Sequence, residues 1–160
     1  MKPNVLAGIS LLALLALAGC GAKTEQTGAA PAASSGGTAM AAVSKYDAGP
    51  RAGESAFEAD DAAEGEKVFQ AKGCSACHTF GKKMSGPDLQ GVTMRRTEEW
   101  MKNQILHPEV MTKSDPISHD LFAKFALQMP NQGLDEEQAE KVIEFLKKKD
   151  HDAGLAGAAK

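Results

Sequence analysis

Cys74 and Cys77 stand three positions apart and His78 follows at once, in the run Cys74-Ser75-Ala76-Cys77-His78. Whatever these three groups hold together dictates the fold around it. A dithiol redox pair expects a βαβ context, and the chain shows no alternating strand pattern of any length. A disulfide between the two thiols gives no role to the imidazole. A covalent haem attachment uses all three groups: each thiol adds across one vinyl group, and the imidazole lies beneath the iron as its proximal ligand. Composition favours the third chemistry. Residues 62–149 read as short helices with long irregular connections, and aromatic residues are 5% of the chain. That is a thin apolar core for roughly 90 residues. A bound prosthetic group would fill the middle.

The amino terminus carries a separate signal. Lys2 precedes the apolar run Val5–Ala18, which closes on Leu17-Ala18-Gly19-Cys20. A short positive start, about 7–15 apolar residues and small residues at a cleavage point describe an export signal. The run is shorter than the roughly 20 residues of a membrane-spanning helix. Leu-Ala-Gly-Cys resembles the lipobox of bacterial lipoproteins. The resemblance implies a signal peptide over 1–19, lipid on Cys20, and a chain anchored to a bacterial membrane, facing the periplasm or cell exterior. Two acyl chains anchor stably where one does not. The odd count of three cysteines is then explained. A structural zinc site, which needs four protein ligands, is left with two thiols and with His107 and His119, which are not spaced as a pair.

From Gly21 to Ala56, 26 of 36 residues are Ala, Gly, Ser, Thr or Pro. Such a stretch buries too little surface to offset its chain entropy, so residues 20–61 are expected to be a flexible linker with a span on the order of 35 Å. Residues 150–160 are expected to be a flexible tail, with His151 a bystander. The formal net charge of −3 excludes both a strongly basic nucleic-acid binder and an acidic disordered chain. Residues 62–149 hold thirteen bases and thirteen acids, so charge-guided docking would need local patches. Lys72, Lys82 and Lys83, near the Cys-x-x-Cys-His run, are candidates for one.

Four helices are expected within 62–149. Ala63–Ala71 stops at Gly73. Glu98–Leu106 has Thr97 as its cap and Pro108 as its stop. His119–Leu127 turns Leu121, Phe122 and Phe125 inward. The last helix opens on Asp135 with Gln138 and runs to Lys149, with Ala139, Val142, Ile143 and Leu146 on one face.

The ligand opposite His78 decides what the iron does. A thioether raises the potential and suits electron transfer; an open position suits ligand binding or peroxide chemistry. Met84 is too close in sequence to pass round the haem edge, and Met101 reads as core on its helix. Met94 and Met111 lie in connections and stay open as ligands, as does His119. Met129 precedes Pro130 and Asn131-Gln132-Gly133, a rigid turn that can present a sulfur between two helices.

Taken together, Ala62 to Lys149 resembles the class I c-type cytochromes of bacteria. Gly65 and Phe69 match the family's first helix, which crosses the last helix near Phe145 and Leu146. Cys74, Cys77 and His78 match its attachment motif, and Ser85-Gly86-Pro87-Asp88-Leu89 is similar to its Gly-Pro-x-Leu loop. The resemblance implies an all-α fold of about four short helices around one covalent haem c. It implies that the Pro87 carbonyl orients His78 and that Met129 is the distal iron ligand. It also makes Arg95, Arg96 and Trp100 candidates for holding a haem propionate; solvated charges and a core indole are the plain alternative.

The expected function is therefore a lipid-anchored, monomeric monohaem cytochrome, an electron carrier and not an enzyme. It would exchange Fe(III) and Fe(II) between a redox donor and a redox acceptor, with the membrane reached through Cys20 and no nucleic acid involved. The alternative is a haem-based small-ligand sensor with a labile Met129.

Overall fold

A computed structural model of the chain describes residues 43–156. The expected signal peptide, Cys20 and the linker up to residue 42 lie outside the described residues. Among these residues the structure is all-helical: α1 (Ala59–Ala71), α2 (Val92–Arg95), α3 (Glu98–Leu106), α4 (Pro108–Ser114), α5 (Pro116–Phe125) and α6 (Glu136–Asp152), with 3-10 turns at Ala52–Glu54 and Cys74–Ala76. No helix among them is long and apolar enough to cross a membrane.

The frame is the crossing of α1 on α6. Gly65 makes it close, because a Cβ there would overlap the Lys141 carbonyl. Phe69, 3% exposed, and Phe145, 4% exposed, meet at the crossing with ring centroids 5.3 Å apart. Burying each such ring stabilises the fold by about 1.5–3 kcal/mol. Phe80 closes the cluster edge-on to Phe145 at 5.9 Å, and so ties the segment just after His78 to the frame. α1 ends as expected, with Gly73 in the left-handed region at φ 74°.

α3 has its expected bounds, with the Thr97 hydroxyl accepting from the Trp100 N–H at 3.0 Å. The stretch after it differs from expectation. Pro108 stops α3 and also opens α4, because proline suits the first position of a helix. Met111, expected in a connection, is 1% exposed within α4 and the core. α5 starts at Pro116 and not at His119, since Asp115 caps it through the Ser118 N–H at 3.0 Å. It ends at Phe125 because Ala126 turns left-handed at φ 51°.

Both ends of the folded part extend beyond the expected limits. The linker expected through 61 is corrected over residues 44–61: Ala52 and Phe57 are buried, Ala52 N–H donates to the Arg96 carbonyl at 3.0 Å, and α1 already begins at Ala59. The tail expected from 150 starts later, because α6 continues to Asp152. Asp150 is fully buried and accepts from Gly91 N–H at 2.5 Å, Thr93 N–H at 3.0 Å and the Thr93 hydroxyl at 2.6 Å. Three charge-assisted bonds offset the cost of burying the carboxylate and fix the start of α2 to the end of α6.

Candidate functional site

A cavity of about 440 Å³ opens between these elements, within the roughly 300–1,000 Å³ of small-molecule sites. Cys74, Cys77, His78, Pro87, Arg95, Arg96, Trp100 and Met129 all line it. The structure thus brings every cavity residue expected from the sequence to one place.

His78 is set by its neighbour loop. Its Nδ1 lies 2.9 Å from the Pro87 carbonyl oxygen. A carbonyl has no hydrogen to give, so Nδ1 carries the proton and donates, and Nε2 is left as the lone-pair nitrogen. The loop carrying Pro87 is held at several points. Gly86 N–H donates to Cys77 O at 2.9 Å, and Leu89 N–H to Thr79 O at 3.0 Å. Asp88 Oδ1 accepts from Gly81 and Gln90 N–H at 2.8 and 2.9 Å. Gly86 is needed for the approach itself: a Cβ there would sit 2.7 Å from His78 Cε1. Cys74 opens the 3-10 turn Cys74–Ala76 and Cys77 follows it, and both are half-buried at the cavity wall.

Met129 stands in the irregular segment between α5 and α6. Asn131 Nδ2 donates to the Leu106 carbonyl at 3.0 Å, and Gly133 N–H donates to Asn131 Oδ1 at 2.8 Å. Lys72 Nζ donates to the Gly133 carbonyl at 2.8 Å, so this lysine braces the segment. Gln104 on α3 directs Nε2 at the Met129 sulfur, 4.0 Å away, while its Oε1 is buried without a partner among the described residues. The rival ligands are placed elsewhere. Met84, Met94 and His119 are exposed and Met111 is core, and none of the four lines the cavity. Met101 does line it, as a 3% exposed residue of α3.

Trp100 combines two expected alternatives. It is 4% exposed in the core and also reaches the cavity. Its Nε1–H donates to Asp115 Oδ1 at 2.9 Å, which joins α3 to the start of α5. Arg95 is spent on the Pro87 loop, donating to Gln90 O at 2.7 Å and Asp88 O at 3.2 Å. Arg96 lies over the Trp100 ring, 5.1 Å from its centroid, and donates to Asp47 Oδ2 at 3.2 Å. Gln104, Asp115 and Asp47 are site-shaping residues that the sequence reading passed over. Gln104 carried a signal in its spacing on the Trp100 face of α3, and Asp115 one in standing directly before Pro116, the pattern of a helix start; Asp47 carried none.

The donor set fits a covalent haem. Two thiols, an imidazole with Nε2 available and a thioether share a cavity lined by Leu89, Val92, Ile105, Leu121 and Phe125. Phe122, expected inward, and Leu127 line the cavity but remain 41% and 48% exposed. They offer apolar area that a flat apolar group would cover.

A family profile described as Cytochrome c matches residues 62–150. The chain belongs to the cytochrome c family. Three solved structures agree with the assignment. A cytochrome c from Rhodothermus marinus is 31% identical, with a TM-score of 0.58 over 60% of this chain and 82% of that one. An engineered form of the same cytochrome is 30% identical, with a TM-score of 0.57 over 59% and 82%. An engineered form bound to a carbene intermediate is 32% identical, with a TM-score of 0.55 over 59% and 81%. No curated protein matches the chain. The family binds covalently attached haem c, and this member is a haem-based electron carrier of the class I fold.

Proposed function

We propose that the chain carries single electrons through a haem iron ligated by His78 Nε2 and Met129 Sδ, between redox partners at the outer face of a bacterial membrane. The observation that carries this reading is the sharing of one cavity by the Pro87-oriented His78 and by Met129. Bound haem would supply the Fe(III)/Fe(II) couple. Cys74 and Cys77 would fix the ring to the chain, and Pro87 would raise the basicity of His78 by accepting its Nδ1 proton in a hydrogen bond. Met129, braced by Lys72 and Asn131, would fill the sixth position and leave no room for an outside ligand. The work of the protein would then be orientation and exclusion of water, with no bond made in a substrate. It would act as a monomer.

Visible spectra of the full holoprotein in both oxidation states test the ligand assignment. The expected result is the weak far-red band of Met-to-ferric-iron coordination, lost in Met129→Ala. Its absence in the wild type, with carbon monoxide binding to the reduced protein, would move the reading to a small-ligand sensor with a labile methionine.

The lipid anchor on Cys20 and the export signal over 1–19 rest on the resemblance to the lipobox. Labelled palmitate should enter the wild-type chain and not Cys20→Ala, and the wild type should sediment with membranes. Label in neither chain would overturn the anchor while leaving the haem chemistry intact. The partners fit a membrane donor and a nearby acceptor, within reach of a linker that begins at Cys20. Shortening Gly21–Ala42 should slow turnover between fixed partners; unchanged turnover would count against the tether.

A further inference from the structure

We infer that Asp47 is a positioning residue for Arg96, so that the segment at 44–57, which precedes the part of the chain matched to the family, helps set the charge at the edge of the haem cavity. The family match begins at residue 62, yet this segment is built into the site. Asp47 places a carboxylate, 9% exposed, between two guanidinium groups: Arg51 Nη1 at 2.9 Å and Arg96 Nη1 at 3.2 Å. The Thr97 N–H donates to the same carboxylate at 2.8 Å. The surrounding backbone fixes Asp47 in turn. Tyr46 O accepts from the Thr97 hydroxyl at 2.5 Å, Arg51 Nη2 donates to Asp47 O at 2.7 Å, and Arg51 Nη1 donates to Arg95 O at 2.8 Å.

Arg96 is the other end of the chain of contacts. It lines the cavity and lies over the Trp100 ring, which also lines it. A guanidinium in that place favours reduced over oxidised haem, because reduction removes one positive charge from the site. Asp47 opposes this by pairing with Arg96 and holding it toward the segment. A carboxylate so shielded from water is screened far less than a surface charge. The inference rests on the family's covalent haem and holds whichever residue is the distal ligand, so its failure is separable from that of the Met129 assignment.

The test is potentiometric titration of the full holoprotein, with melting temperature recorded alongside. Asp47→Asn keeps an acceptor for Thr97 and removes the charge. At a fixed solution potential its reduced-to-oxidised ratio should rise about three- to tenfold, from the lost carboxylate charge and the released Arg96 acting together through a medium of intermediate polarity. In an Arg96→Gln background the same substitution should raise the ratio clearly less, by the direct share of the lost carboxylate alone. A lower melting temperature with no change of ratio would mean that the segment only packs, and would overturn the inference. An equal rise in both backgrounds would mean that Asp47 acts on the haem without Arg96, and would overturn it too. Should Asp47→Asn fail to mature, Arg51→Gln leaves Asp47 wholly to Arg96. It should lower the ratio more in the wild type than in Arg96→Gln, where only the lost Arg51 charge acts; an equal fall in both, or none, overturns the inference.

Discussion

His78 and Pro87 are joined by a single hydrogen bond, Nδ1 to carbonyl oxygen at 2.9 Å, across a loop whose own backbone bonds leave it little freedom. The bond fixes the tautomer of the imidazole and the direction of Nε2 together. It depends on Gly86, whose missing side chain leaves room for the ring edge.

Gly86→Ala should therefore push the imidazole off its carbonyl partner. Overpacking of this kind costs about 1–3 kcal/mol. A less basic imidazole stabilises the ferric state less, so the reduction potential should rise. Chemical denaturation and potentiometry of the holoprotein check the two effects separately. A potential that does not move would show that the Pro87 bond orients the ring without tuning it.

Gln104→Leu addresses the other ligand. The amide donor 4.0 Å from the Met129 sulfur draws electron density from it, which disfavours the ferric state. Removing that donor should lower the potential while the far-red band survives. The substitution also deletes Oε1, a buried acceptor with no partner among the described residues. Removing an unsatisfied group of this kind is neutral or stabilising, so the melting temperature should not fall. A lost far-red band would instead make Gln104 necessary for ligation itself.

The attachment run was legible because its chemistry is local: Cys74, Cys77 and His78 act through spacing alone. The cap of α3 was legible for the same reason, as Thr97 serves a backbone N–H three residues on. What stayed hidden depends on partners far along the chain. Asp150 binds residues 57 and 59 positions away, and Asp47 binds Thr97, 50 positions away. Both lie in stretches whose composition reads as flexible, and only tertiary contacts order them. α4 was hidden differently: Pro108 reads as a stop, and its second role as a first helical residue shows only once α4 is seen to bury Met111.

Asp115→Ala should be strongly destabilising. Asp115 is 2% exposed; it accepts from the Trp100 indole and caps α5. Loss of a hydrogen bond to a charged group costs about 1.5–3 kcal/mol, and loss of the cap about 1 kcal/mol more. Asp115→Asn keeps an acceptor oxygen and should recover part of the loss. Denaturant titration of the holoproteins orders the three chains; equal stability of Asn and Ala would show that the charge, and not the acceptor, matters.

Lys147 gives the stability a pH dependence of known sign. It is 4% exposed, with Nζ 2.7 Å from Glu144 Oε1 and 3.0 Å from Glu98 Oε2. Burial opposes its charge, but the two carboxylates outweigh burial and hold its pKa above the ordinary lysine value. A pKa raised on folding contributes stability that is complete below the unfolded value of about 10.4 and is lost as pH rises through the higher folded value. Lys147→Met deprives Glu144 of its buried cation, so its melting temperature should lie below that of the wild type from pH 7 to about 10. Above that range the wild type loses the advantage and the two curves should converge. Melting curves of both holoproteins across this range are the measurement. A gap that stays constant through the alkaline range would mean that Lys147 stabilises the fold by the packing of its stem and not by its charge.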